Sequence, residues 1–155
     1  MAVVYIGRFQ PLHLGHLSVI ERYHDLVIGI GSSQYSRTTD NPLTAAERRW
    51  CLAQVTSAPV IDIPDIHDDD RWVEHLLKIV YTVTPTVDCV ISGNPLVQRL
   101  CTAAGLTMKT IDPHIPIDAT SIRRLIREHN PTWKQYVPTS IHTTIEPIIA
   151  RTGGA

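Results

Sequence analysis

An excess of charge of either sign is missing from this chain: 14 lysines and arginines stand against 15 aspartates and glutamates, interspersed, for a formal net charge of −1. That balance argues against a surface that coats nucleic acid. No apolar run approaches the length of a membrane span, which argues against a transmembrane segment. The first residues enter a strand pattern too quickly for a signal peptide, so we expect a cytoplasmic protein. Cysteine is scarce as well. Cys51, Cys89 and Cys101 are odd in number, lack Cys-x-x-Cys spacing and lie in apolar surroundings, which reads as reduced core thiols. Internal repeats, low-complexity tracts and linkers are absent too, and 155 residues suit a single domain over 1–155 with a sizeable core.

What is present alternates. Apolar, β-branched runs predict strands at Val3 to Ile6, Leu26 to Ile30, Val60 to Ile63, Val87 to Ile91 and Leu106 to Ile111. Helical patterns fall between them. Thr44-Ala45-Ala46-Glu47 is a capping box opening a helix expected to carry Trp50, Leu52 and Val55 inward. A second helix is expected from about Arg71, with Val73, Leu76, Leu77 and Val80 on one buried face. Pro95 marks a helix start and Gly105 a stop. Strands alternating with helices predict an α/β fold: a Rossmann-like, doubly wound parallel sheet of about five strands over 1–116, with its ligand at the strands' carboxyl ends. From Ile117 to 155 we expect a small closing portion of short helices, interrupted by Pro131, Pro138 and Pro147.

Chemistry concentrates where the first strand breaks into Gly7-Arg8-Phe9-Gln10-Pro11-Leu12-His13-Leu14-Gly15-His16. A strand running straight into a helix places free backbone N–H groups and the positive end of the helix dipole at the sheet edge, where phosphates bind. His13 and His16, three apart, share a face of the first helical turn, and Arg8 adds a permanent charge. Pro11 presets the backbone near the helix entry. Gly15 is expected to leave room for a nucleotide near the backbone. A bare His-x-x-His pair reads equally as a solvated helix face or half a metal site. Joined to a strand, a Gly, a Pro and a second Gly in this order, it reads as a phosphate site.

This stretch resembles the G-x-F-x-P-x-H-x-G-H signature of the nucleotidyltransferases, matched at Gly7, Phe9, Pro11, His13, Gly15 and His16. Further segments extend the likeness over nearly the whole chain: Gly29-Ile30-Gly31-Ser32-Ser33-Gln34, Asn41-Pro42-Leu43-Thr44-Ala45-Ala46-Glu47-Arg48, Asp65-Ile66 leading to Trp72-Val73, Ile91-Ser92-Gly93-Asn94-Pro95-Leu96-Val97, and Thr120-Ser121-Ile122-Arg123. The set resembles the archaeal-type nicotinamide mononucleotide (NMN) adenylyltransferases. The resemblance implies transfer of AMP from ATP to NMN, giving NAD and pyrophosphate, with Mg2+ and in a homo-oligomer. It implies catalytic roles for His13, His16, Arg8 and Arg123. ATP is expected against Gly7, Arg8, Phe9, His13, His16, Gly93, Thr120, Ile122 and Arg123, and NMN against Gly31, Ser32, Asp65, Asp69, Trp72 and Asn94.

The residues also carry readings of their own. Thr120 can cap the helix that the resemblance makes the last phosphate-binding one, where Arg123 can hold the β and γ phosphates, while Arg123-Arg124 also reads as a solvated basic face. Gly29 and Gly31 suit either close approach of a ring or ribose, or tight packing of the strand. Trp72 suits the core as well as stacking on a pyridine ring. Asp68-Asp69-Asp70 reads as a solvated loop or a charge cluster at a helix N-terminus, and Asn94 as a turn former or a substrate amide contact. Mg2+ is expected on phosphate oxygens and water, with no protein ligand set assigned. Two departures stand out: Asp118-Ala119 where many relatives carry Ser-Gly, and Asp69 where relatives usually carry Asn. The rival readings are a sister transferase acting on phosphopantetheine, a flavin nucleotide or glycerol phosphate, a non-catalytic nucleotide sensor, and a metal hydrolase built on the histidines and the acidic loop.

Overall fold

The computed structural model of the chain describes residues 2–111 and 116–153. Five parallel strands form one sheet: β1 Ala2–Gly7, β2 Leu26–Gly31, β3 Val60–Ile63, β4 Val87–Ser92 and β5 Met108–Lys109. The first four lie where the apolar runs predict them. The fifth is only two residues long, shorter than the expected Leu106 to Ile111, because it pairs with β4 only at Val90↔Met108 and Ile91↔Lys109. The order β3-β2-β1-β4-β5 makes β1 central, with Tyr5 opposite both Ile28 and Ile91. Strand order reverses at β1–β4, the switch point outside which open α/β sheets bind ligands. A Rossmann-like parallel sheet with helices is therefore what the alternating pattern encodes.

Six α-helices accompany the strands: α1 Leu14–Ile20, α2 Ala45–Ala53, α3 Asp69–Val80, α4 Pro95–Ala103, α5 Ala119–Arg127 and α6 His142–Arg151. Two 3-10 segments, Pro131–Tyr136 and Thr139–Ile141, precede α6. Contacts divide the chain into two compact units. Among the described residues, one comprises 2–7, 23–33 and 58–111; the other comprises 8–22, 34–57 and 116–153.

The first unit holds the sheet with α3 and α4. Helix α3 begins at Asp69, two residues before the expected start, because Asp68 accepts the Asp70 N–H at 3.1 Å as N-cap. Its Trp72, Leu76 and Val80, spaced four apart, bury one face among Val4, Ile6, Ile63, Val90, Val97 and Cys101. Helix α4 starts at Pro95 as expected, capped by Asn94, and ends at Ala103, just before Gly105, whose φ of 83° is the left-handed conformation that stops a helix.

The second unit holds the other four helices. The capping box of α2 forms: the Glu47 N–H donates to Thr44 Oγ1 at 3.1 Å and the Thr44 N–H to Glu47 Oε1 at 2.8 Å. Two expectations fail in this unit. Trp50 is 43% exposed rather than inward, because Cys51, Leu52 and Arg48 occupy the buried face, and Val55 lies beyond the helix end, half-buried. Pro147 does not interrupt the carboxyl-terminal segment but sits within α6. Pro131 and Pro138 do mark starts, of the two 3-10 segments. All three cysteines are free and buried; burial pushes the Cys51 thiol up to about 12, Cys101 to about 11, and Cys89 upward, as inert core thiols require.

Candidate active site

In the first unit, the predicted residues collect just past the carboxyl ends of the strands. Ser32 follows β2 in the left-handed region at φ 47° and is 5% exposed; its hydroxyl donates to Asp65 Oδ2 at 2.8 Å. Sequence placed both residues at strand ends, but only the fold pairs them. Gly31 keeps ordinary space, since an added Cβ would lie 3.6 Å from Gly7 O. Gly29 is a packing glycine: a Cβ there collides with Ile63 Cδ1. After β4, Asn94 is exposed, and its Oδ1 accepts the Leu96 N–H at 2.8 Å. Its carbonyl oxygen is thus spent on the helix cap. Gly93 lies exposed beside it. Asp69 is exposed in the first turn of α3, whereas Trp72 is 9% exposed and belongs to the apolar core.

In the second unit, the segment after Gly7 is held rigidly. Phe9 has φ 54° and is 1% exposed, a conformation costing a non-glycine residue about 1 kcal/mol or more, which burial must sustain. Its ring lies 4.7 Å from that of His16. Gln10, 1% exposed, grips the backbone of Leu43 from both sides: Nε2 donates to Leu43 O at 2.9 Å, and Oε1 accepts the Leu43 N–H at 2.8 Å. Arg48 is fully buried and donates to three carbonyls, those of Arg8 at 3.1 Å, Tyr35 at 3.2 Å and Thr44 at 3.3 Å. The sequence assigns neither of them a role. Arg48 falls in a helix at a position that reads as surface, because an unpaired arginine is almost never fully buried. Arg8 itself is exposed.

The two histidines cap α1 with their rings. His13 is the N-cap, and its Nδ1 accepts the Gly15 N–H at 3.0 Å; His16 Nδ1 accepts the His13 N–H at 3.1 Å. The rings stack with centroids 3.7 Å apart. Each Nδ1 acts as an acceptor, so in the neutral imidazole the proton sits on Nε2. Burial lowers the His13 pKa to about 4, partly opposed by Asp118, and burial beside His13 drives His16 well below the ordinary histidine value. Both rings are therefore neutral Nε2–H donors at physiological pH. Gly15 serves this arrangement: an added Cβ would stand 2.8 Å from His13 Cε1, so the space expected for a nucleotide is filled by the imidazole instead.

Helix α5 completes the second unit's set. Thr120 does not cap it. Asp118 does, accepting the Ser121 N–H at 2.7 Å, and that bond holds its carboxyl below the ordinary range. This gives the unusual Asp118 a structural use, with the charge favourably placed at the dipole. Thr120 lies in the first turn and accepts from Arg123 Nη2 at 3.3 Å. Ile122 is fully buried, with its N–H bonded to Asp118 O. Arg123, 6% exposed, donates from Nη1 to Gln10 O at 2.9 Å, while its Nε is buried without a hydrogen-bond partner. Half-buried neutral imidazoles, a half-satisfied guanidinium and a helix N-terminus make a set of donors suited to anionic oxygens.

Residues 4–144 match the cytidylyltransferase-like family, to which the chain belongs. The nicotinamide-nucleotide adenylyltransferase of Methanoculleus marisnigri is 39% identical over 155 residues, covering 93% of this chain and 89% of that protein. Nicotinamide-nucleotide adenylyltransferase 1 of Sulfolobus acidocaldarius is 36% identical over 163 residues, covering 96% and 90%. Among solved structures, a bifunctional NMN adenylyltransferase/ADP ribose pyrophosphatase from Francisella tularensis, complexed with AMP and a manganese ion, superposes with a TM-score of 0.75 at 20% identity. It matches 96% of this chain, which spans 51% of that longer protein. The NadR protein in complex with NAD and AMP-PNP gives a TM-score of 0.66 at 20% identity, over 88% of this chain and 44% of its own. At that identity the two structures speak for the fold.

Proposed function

We propose that the chain is an NMN adenylyltransferase that transfers AMP from ATP to NMN, yielding NAD and pyrophosphate. The observation that carries this reading is the stacked pair His13 and His16, both neutral and both held as Nε2–H donors by backbone N–H groups. Neutral donors fixed in place stabilise charge that develops on a phosphate without needing to reorganise. The chemistry asks little covalent work of the protein: the NMN phosphate attacks the α-phosphorus in line, the bond to the bridging oxygen breaks, and pyrophosphate leaves.

His16 and His13 are assigned to the ATP phosphates, His16 to the α-phosphate. Arg8 and Arg123 are assigned to neutralise the departing pyrophosphate by charge. Gly7, Phe9, Gly93, Thr120 and Ile122 are assigned to ATP. Gly31, Ser32, Asp65, Asp69 and Asn94 are assigned to NMN, and Trp72 offers the pyridine ring only what the core leaves uncovered. Among the described residues no three His, Cys, Asp or Glu side chains gather to hold a metal, and Asp118 is engaged as a cap. The divalent cation, taken here as Mg2+, is assigned to phosphate oxygens and water. When bound, that cation neutralises charge on the leaving group. Among the described residues no helix is long and apolar enough to cross a membrane; cytoplasmic location and homo-oligomeric assembly belong to this reading.

A coupled assay of NAD formation from NMN and Mg·ATP tests it. Turnover is the expected result. If NMN is inert while a flavin mononucleotide or phosphopantetheine accepts AMP, the reading gives way to a sister transferase.

A further inference from the structure

The guanidinium of Arg123 has more donors than partners. Nη1 and Nη2 reach Gln10 O and Thr120 Oγ1, and Nε is buried with none. A carboxylate stands nearby without bonding: Asp40 Oδ1 lies 3.6 Å from Arg123 Nη2, with the two side chains 74% and 8% exposed respectively. That distance is too long for a hydrogen bond, so Asp40 supplies charge without consuming a donor. Its backbone is tied on both sides. The Thr38 N–H donates to Asn41 O at 3.2 Å, the Asn41 N–H to Thr38 Oγ1 at 3.1 Å, and Arg127 Nη2 to Thr39 O at 2.8 Å. A tethered, solvated carboxylate thus faces a buried, incompletely bonded cation.

We propose that Asp40 is the resident counter-ion of the Arg123 phosphate subsite: it compensates the guanidinium in the nucleotide-free protein and opposes the incoming triphosphate, weakening ATP binding and hastening release of pyrophosphate. The inference rests on the ATP reading above. The charged groups around Arg123 are Asp40 and Asp118 on the acidic side and Arg8 and Arg127 on the basic side. Asp118 is fixed by its cap bond, which leaves Asp40 as the acidic group free to yield. The contrary role, Asp40 orienting Arg123 for phosphate, predicts the opposite sign.

Calorimetric titration of ATP, inorganic pyrophosphate and NMN into the unaltered chain and into Asp40→Asn decides between them. ATP and pyrophosphate should bind about two- to fivefold tighter to the variant, the range of an exposed charge contact, with NMN unchanged. The gain should shrink in added salt and in an Arg123→Lys background. Unchanged or weaker ATP binding by Asp40→Asn, confirmed with Asp40→Ser, overturns the proposal. Failure of the unaltered chain to bind ATP at all would instead strike the ATP reading, and this inference with it.

Discussion

Around the sheet, α3 buries Trp72, Leu76 and Val80 among Val4, Ile6, Ile63 and Val90, and the packing is almost wholly apolar. Around the segment Arg8–Arg22, by contrast, Gln10, Arg48 and Arg123 are buried polar side chains that bond main-chain atoms. Apolar packing is non-directional and tolerates changes that keep volume. Polar clamps fix position closely but leave costly orphans when one partner is lost. The difference separates a scaffold that needs bulk from a motif that needs geometry.

Volume loss in the scaffold is the largest expected effect. Leu76→Ala should cost about 2–5 kcal/mol of stability, read from denaturant unfolding. A loss below about 1 kcal/mol would mean that α3 repacks freely and that the contrast between the regions is overstated. In the motif, His16→Ala should leave the circular dichroism spectrum intact yet lower kcat by about 10²-fold or more, the scale of one preorganised donor. Near-normal turnover would remove His16 from the chemistry.

Arg48→Met keeps the length of the side chain and removes its bonds to the carbonyls of Arg8 and Tyr35, while Thr44 O keeps the backbone N–H of residue 48 at 3.0 Å. About 1–3 kcal/mol should be lost. Equal or greater stability would show that burying this charge was a net cost, as for some buried ions.

Acid should reach the motif through its imidazoles. The folded pKa of His13 lies near 4, below the ordinary 6.5, so the unfolded chain binds the proton more readily in that window. Stability is therefore full above pH 6.5 and declines as pH falls toward 4. His13→Asn, which can still cap, should flatten this decline in urea titrations; an identical slope would place the acid sensitivity elsewhere. Smallest of all, Asp69→Asn should improve nicotinate mononucleotide relative to NMN in kcat/KM. Like charges at ~4 Å in water cost about 1 kcal/mol, or roughly fivefold, and the exposure of Asp69 keeps it near that limit. An unchanged ratio would detach Asp69 from the pyridine ring.

Local pattern alone determined the strands β1 to β4, the capping box at Thr44, the start of α4 at Pro95 and its stop at Gly105, because each depends on side chains a few residues apart. Pattern together with family likeness located His13, His16 and Arg123. Tertiary structure decided the rest. Trp50 turned outward because Arg48 took the buried face, and β5 shrank to the length its neighbour could pair. Asp118 displaced Thr120 as cap, and the space at Gly15 went to a ring two residues away. Ser32 with Asp65, Gln10 with Leu43 and Asp40 with Arg123 meet across 33 residues or more. Periodicity reports which face of an element is apolar, but it carries no information about which distant carbonyl or carboxylate a buried donor will find.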